Sequence, residues 1–427
     1  MRRLILLIAV SAFLPGLRAE VTLDECRRLA AGNYPLVRQY SLIEKSTEYS
    51  ISNARRGYIP QVTLSAQATY QSAVANFPED MRGLFSQMGL NYKGLNKDQY
   101  KAMVELQQTI WDGGASKSQR EQAEAEGNTS GRNVEVEIYA VNDRVNQMFF
   151  GILMLKAQQE QNADLQKLLQ SNCDRIGEMV DNGTAIGGDL DAVRAELLST
   201  VQAGIQIKAS DEAYRRMLSL LTGRVIGEDE RFVRPQDEIV AQDSIKRPEL
   251  QLIDAQIAEL GAARSALKSS SNPKIGAFAQ GFYGNPGLDM FKDMLENKWT
   301  PNYMVGIKLQ WSLTPYYTRR NSMKKLDLSR EQLGSSRETF IFNTNIQVAQ
   351  LEGEIKKMRE VMRRDDEIIM LRNSVRKTAE SKFQNGIIYV SDLLREITNE
   401  NDARIAKSLH EIELLKNIYD LKNTINK

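Results

Sequence analysis

Residues 61–70, Gln-Val-Thr-Leu-Ser-Ala-Gln-Ala-Thr-Tyr, alternate strictly between apolar and polar side chains. Val62, Leu64, Ala66, Ala68 and Tyr70 point one way, while Thr63, Ser65, Gln67, Thr69 and Gln71 point the other, as in a strand with one apolar face. The alternation returns 213 positions later with Ile275, Ala277, Ala279, Gly281 and Tyr283, although Phe278 and Phe282 make the opposite face less polar. Each strand has a successor. Ala102, Val104, Leu106 and Ile110 oppose Glu105, Gln107 and Thr109; 203 positions on, Val305, Ile307, Leu309 and Leu313 oppose Lys308, Gln310 and Ser312. The pattern predicts strands over 61–76, 100–112, 274–284 and 302–314, each about ten residues or more, the length that crosses a hydrocarbon core when tilted. Tyr70, Trp111, Tyr283 and Trp311 are the aromatic residues suited to a membrane interface.

The two steps mark an internal duplication. A shift of 213 carries Pro35 onto Pro248 and Ile59-Pro60-Gln61 onto Asn272-Pro273-Lys274; a shift of 203 carries Asn182-Gly183 onto Asn385-Gly386 and Asp189-Leu190 onto Asp392-Leu393. The expected layout is a first repeat over 20–223, a linker over 224–243 and a second repeat over 244–427. Pro78 to Asp98 and Gly284 to Pro301, rich in Gly, Asn, Asp and Pro, read as the loops between paired strands. Four strands cannot close a barrel, single-chain barrels begin at about eight, and an open sheet edge is not tolerated in lipid. Several chains must therefore contribute, and three chains give a simple cyclic closure.

Between the strands the sequence is built for long helices. No proline lies between Glu79 and Arg234 or after Pro315, and a proline inside a helix costs about 3 kcal/mol. Helices are predicted over 116–180, 189–222, 316–384 and 390–425, with shorter ones over 23–56 and 244–269 preceding the strands. The first long helix carries a four-three apolar seam, Val134, Ile138, Val141, Val145, Met148, Ile152 and Leu155, and the second repeats its phase with Ile341, Thr344, Val348, Leu351, Ile355 and Met358. At about 1.5 Å per residue such a helix makes a rod of roughly 95 Å. A plain periplasmic coiled coil or adaptor without a pore is the alternative, and it leaves the strands unexplained. The N-terminus reads as a signal peptide over 1–19: Arg2 and Arg3, an apolar run from Leu4 to Leu14, Pro15-Gly16, and Ala19 before Glu20.

The composition excludes several function classes. A formal charge of +1 gives no electrostatic footprint for nucleic acid. One histidine, His410, and two distant cysteines, Cys26 and Cys173, supply neither a disulfide scaffold nor a multi-histidine or thiolate metal site, so no cofactor or catalytic cluster is expected.

The chain resembles the TolC-like outer membrane efflux proteins over essentially its whole mature length. The likeness rests on Asn33-Tyr34-Pro35-Leu36 and Arg247-Pro248-Glu249-Leu250 early in each half, Tyr58-Ile59-Pro60 and Asn272-Pro273 before the strands, and Ile110-Trp111-Asp112-Gly113-Gly114 after one. Phe383-Gln384-Asn385-Gly386 followed by Asp392-Leu393-Leu394 completes it. The resemblance implies an α+β membrane protein: a homotrimer with a twelve-stranded barrel in the outer membrane of a Gram-negative bacterium and a coiled-coil tunnel through the periplasm. It implies work with a periplasmic adaptor, contacted at the helix-tip turns Asn182-Gly183 and Asn385-Gly386, and with an inner-membrane transporter. It assigns the family's innermost aspartate ring to Asp392, with Asp189 as the first-half counterpart, and puts Arg395 where a second aspartate is usual. Phe383 and Ile388 replace the tyrosine and arginine of a gate latch. Asp189 and Asp392 are equally suited as acids in the first turn of a helix. Asp174, Asp181, Asp365 and Asp366 read as solvated.

Overall fold

The computed structural model describes residues 20–90, 92–237 and 244–426, so the signal peptide expected over 1–19 and part of the 224–243 linker lie outside the described residues. The first half contains β1 (Glu20–Val21), α1 (Leu23–Asn33), α2 (Val37–Arg56), β2 (Gln61–Tyr70), α3 (Glu79–Gln87), β3 (Asp98–Trp111), α4 (Ala115–Tyr139), α5 (Val141–Asp181) and α6 (Gly187–Thr222). After β4 (Arg231–Phe232), the second half contains α7 (Pro248–Ser269), β5 (Lys274–Asn285), α8 (Met290–Glu296), β6 (Thr300–Gln310), α9 (Pro315–Gln384) and α10 (Val390–Ile425). No described helix is long and apolar enough to cross a membrane.

Several boundaries differ from the sequence reading. The helix expected over 23–56 breaks at Tyr34, which turns extended (φ −63°, ψ 129°) because the residue before Pro35 is sterically kept out of the helical region. The helix expected over 116–180 is interrupted only at Ala140, which keeps a helical backbone (φ −62°, ψ −17°) and whose N–H donates to the Val136 carbonyl at 3.1 Å. Next to that break, the Tyr139 hydroxyl donates to the Asn423 carbonyl at 2.5 Å. The expected loops hold the short helices α3 and α8; Pro78 opens the first, and the Asp289 side chain caps the second by accepting from the Lys292 amide at 3.1 Å. The strands expected over 61–76 and 302–314 end sooner, at Tyr70 and Gln310, leaving Leu313 outside the sheet.

The chain forms two compact units, one from the described parts of 41–131 and 252–335, the other from those of 1–40, 132–251 and 336–427. The first holds a four-stranded antiparallel sheet in the order β2-β3-β5-β6. Its register sets Leu64 beside Val104, Val104 beside Gly281, and Gly281 beside Tyr303. The apolar sides of all four strands thereby fuse into one face. A bulge between Thr109 and Trp111 places Trp111 opposite Ile275 and so turns Trp111 onto that face. On the other face the Phe278 ring covers Gly306 on the neighbouring strand, where a Cβ would come within 2.9 Å of it.

The strand-junction motifs around Tyr58, Asp112 and Asn272 meet at one end of this sheet. The Tyr58 hydroxyl donates to Asp112 Oδ1 at 2.8 Å, and the Asn272 side-chain amide donates to the Gly113 carbonyl at 2.7 Å. Gly113 is left-handed (φ +71°), and a Cβ there would stand 2.8 Å from that of Asn272.

In the second unit, α1, α5, α6, α9 and α10 enclose two cores. The larger contains Val145, Phe149, Phe150, Ile152, Leu218, Ile412 and Ile418, with Val348, Leu351, Ile355 and Met358 of the α9 seam packed against it. Asn33 closes the end of α6 by donating to the carbonyls of Leu220 and Leu221. Arg247 salt-bridges Glu249 and lies 4.9 Å over the Tyr139 ring. Cys26 and Cys173 are buried free thiols.

Candidate pore wall and helix tips

Two places hold the sequence-predicted site residues. The first is the sheet, whose apolar face is bounded by aromatic side chains at both ends. Tyr70 and Tyr283 lie at one end, Trp111 at the other, and Trp311 just beyond β6 donates its indole N–H to the Ser271 carbonyl at 3.1 Å. All four are exposed in the single chain. The sequence reading passes over Tyr100, Trp299 and Tyr303, which widen the first group: Trp299 stacks on Tyr100 at 5.9 Å and packs against Tyr283 at 5.3 Å. Their signal was weak, since Trp299 lies in an expected loop and enters the belt only through tertiary contact.

The polar face carries glutamines, threonines and a few charges over a concavity of about 540 Å³. Asp112 closes its base. Its carboxylate accepts from the Gly114 amide at 2.9 Å and the Ser116 amide at 2.6 Å, so it caps the entry to α4. Burial alone would raise its pKa, but the bonds from Ser116, Tyr58 and Gly114 outweigh burial and hold it at about 2.

The second place is the pair of helical tips. Asn182 and Asn385 each donate a side-chain amide back to the carbonyl four residues earlier, at 2.8 and 2.7 Å. Gly183 and Gly386 follow in left-handed conformations, φ +69° and +70°, closing both helices in the same way. Beyond them Ile186, Ile387 and Tyr389 are largely exposed. Asp189 and Asp392 occupy equivalent first-turn positions of α6 and α10, whose N-cap residues Ile186 and Tyr389 offer no side-chain cap. Each acid faces the positive helix end. Arg395 salt-bridges Asp392 within the same chain, whereas Asp189 has no ion pair among the described residues. Phe383 is buried in a tip core with Leu169, Ile176, Val193, Leu393 and Ile397, and Ile388 packs at its edge.

Behind the tip lies a network that sequence reasoning missed. Glu400 is only 5 % exposed and accepts from Asn373 at 2.9 Å, from Arg404 at 2.6 Å and from Arg376, which also bonds Glu380 at 2.5 Å. Burial opposes ionisation of Glu400, but these donors hold its carboxyl below the ordinary value. Asn373 and Arg376 lie 27 and 24 positions from Glu400 across the α9–α10 hairpin, so the local i,i+4 spacing of Arg404 and Glu380 does not announce the network. Asp365, expected to be solvated, is also buried; His410 Nδ1 lies 3.0 Å from it. Asp366 is exposed and pairs with Lys407 at 2.5 Å. Asp174 and Asp181 are exposed.

The family model for outer membrane efflux proteins matches residues 27–224. No curated protein matches the sequence. Three solved structures share the fold at low identity. VceC from Vibrio cholerae is 12 % identical with a TM-score of 0.66, covering 94 % of this chain and 95 % of its own. CmeC from Campylobacter jejuni is 12 % identical with a TM-score of 0.65 over 94 % and 85 % of the two chains. MtrE from Neisseria gonorrhoeae, solved in an open state, is 13 % identical with a TM-score of 0.65 over 94 % and 88 %. Joined to the strand-to-helix motifs and the fused apolar sheet face, these likenesses show that residues 27–224 match the outer membrane efflux protein family and that the chain shares the fold of the outer-membrane channels VceC, CmeC and MtrE.

Proposed function

We propose that three copies of this chain close a twelve-stranded barrel in the outer membrane and form a gated, passive exit duct for cargo delivered from the inner membrane. The register of the sheet carries this reading. It gathers one continuous apolar face for lipid and one polar face for a lumen, and leaves β2 and β6 as unpaired edges. In a β2-β3-β5-β6 meander the outer strands run in opposite directions, so β6 of one chain pairs antiparallel with β2 of the next and no edge remains. The repeats at 20–223 and 244–427, joined through 224–243 after removal of 1–19, then supply two staves per chain.

The family works with periplasmic adaptors and inner-membrane pumps. For this chain, the exposed Ile186, Ile387 and Tyr389 beside the Asn182-Gly183 and Asn385-Gly386 turns support adaptor contact at the tips. Asp392, with Arg395 and Asp189 near it in the tip turns, is our candidate for the constriction, with Phe383 and Ile388 bracing it from the core. Purification in detergent and reconstitution in planar bilayers test the duct: a monomer without conductance sinks it. Asp392→Ala is expected to raise resting conductance and weaken block by multivalent cations; unchanged values for both remove Asp392 from the constriction.

A further inference from the structure

The polar face of the sheet is unevenly charged. The register places Lys101 and Glu105 of β3, Lys274 of β5 and Lys308 of β6 on it, while β2 contributes only Gln, Thr and Ser. Each chain therefore offers three lysines against one glutamate, a ratio any symmetric assembly keeps. These charges are only partly spent on one another, since Glu105 lies within electrostatic reach of Lys308. Glu105 accepts from Gln107 at 2.7 Å, Lys101 lies 4.0 Å over the Phe282 ring, and neither Lys274 nor Lys308 forms an ion pair among the described residues. Lys274 and Lys308 are exposed and line the same concavity as Phe278, Met304 and Gln280, with the carboxylates of Glu105 and Asp112 also in its lining, the latter held by the Gly114 and Ser116 amides. Two ammonium groups outside any close ion pair among the described residues thus border an aromatic and thioether surface.

From this pairing we infer that the wall selects amphipathic organic anions: an apolar body rests on Phe278 and Met304 while a carboxylate, sulfonate or phosphate group meets Lys274 and Lys308. The inference rests on the polar face being the pore wall. A low-dielectric wall with an excess of one sign focuses field into the lumen, and at about 0.1 M salt the screening length of roughly 10 Å lets that field act within the concavity. Selectivity from a ring of like charges follows the same physics.

The test compares the wild-type protein with the Lys274→Gln/Lys308→Gln variant in planar bilayers under a potassium chloride gradient. Because only the difference is read, fixed charges elsewhere in the duct cancel. The chloride-to-potassium permeability ratio is expected to fall by roughly threefold with single-channel conductance retained, and Lys274→Arg/Lys308→Arg to keep the wild-type ratio. Naphthalene-1-sulfonate should block the wild-type current more strongly than 1-naphthylmethylammonium, with Phe278→Ala weakening that block. A conducting variant with an unchanged ratio, or equal block by the two naphthalene probes, overturns the inference while leaving the channel standing. A wild-type protein that conducts nothing removes both. If the double variant fails to assemble, each single Lys→Gln variant is read instead, with a smaller fall in the ratio supporting the inference and no change overturning it.

Discussion

Two carboxylates show how single residues set the joints of this chain. Asp112 satisfies the Gly114 and Ser116 amides and anchors Tyr58, so Asp112→Ala orphans two amides and a hydroxyl at the base of the sheet. A loss of about 1–2 kcal/mol is expected, read as a lower melting temperature of the purified protein. Its folded pKa, about 2, is below the ordinary 3.8, so its contribution is complete above the ordinary value and disappears as the pH falls through the folded one. The melting difference between wild type and Asp112→Asn should therefore hold from neutral pH down to 3.8 and close towards pH 2. Glu400→Ala strands Arg404 and removes one of the two carboxylate partners of Arg376. Breaking such a buried pair costs about 3 kcal/mol, and faster proteolysis within α9 and α10 is the expected sign. Equal cleavage rates would count against it.

The tip behaves as an element in which packing and charge separate. Leu393 is 1 % exposed in the tip core, so Leu393→Ala leaves a cavity worth about 3 kcal/mol and should loosen the hairpins. We expect more frequent openings in single-channel records without altered cation block. Arg395→Ala leaves the core intact and frees Asp392 from its partner. Block by multivalent cations should deepen, and block weaker than in wild type would assign the pair the opposite role. The strands, the coiled-coil phase and the tip turns were legible because each repeats a local pattern: alternation for β2 and β5, the heptad for α5 and α9, Asn-Gly for both tips. The one-residue interruption at Ala140, the bulge that turns Trp111 and the capped α8 were not, since each depends on a partner far along the chain or on a single hydrogen bond. Within the candidate sites, the acids and tip glycines were readable from spacing. The Glu400 network and the Trp299 belt arise only when distant segments meet.

At the scale of the whole molecule the decisive prediction concerns the sheet edges. Cysteines introduced singly along β2 and along β6 should form intermolecular disulfides in one consistent register, giving a covalent trimer on a denaturing gel when present together. Cross-links confined to strands already paired within one chain would refute closure between copies. The native thiols stay silent in this experiment: burial, aided by Glu25 and opposed by Arg224, pushes Cys26 up to about 12, and burial raises Cys173. The unpaired edges of β2 and β6 also constrain how the protein is made. A lone chain offers two rows of unsatisfied amides and carbonyls, which hydrocarbon rejects and which any extended peptide in the surrounding compartment would adhere to. With the barrel closed between copies as proposed, assembly has a fixed order. Copies would then have to find one another before or during entry into the bilayer, and a shortage of protomers should lead to degradation rather than to half-built pores.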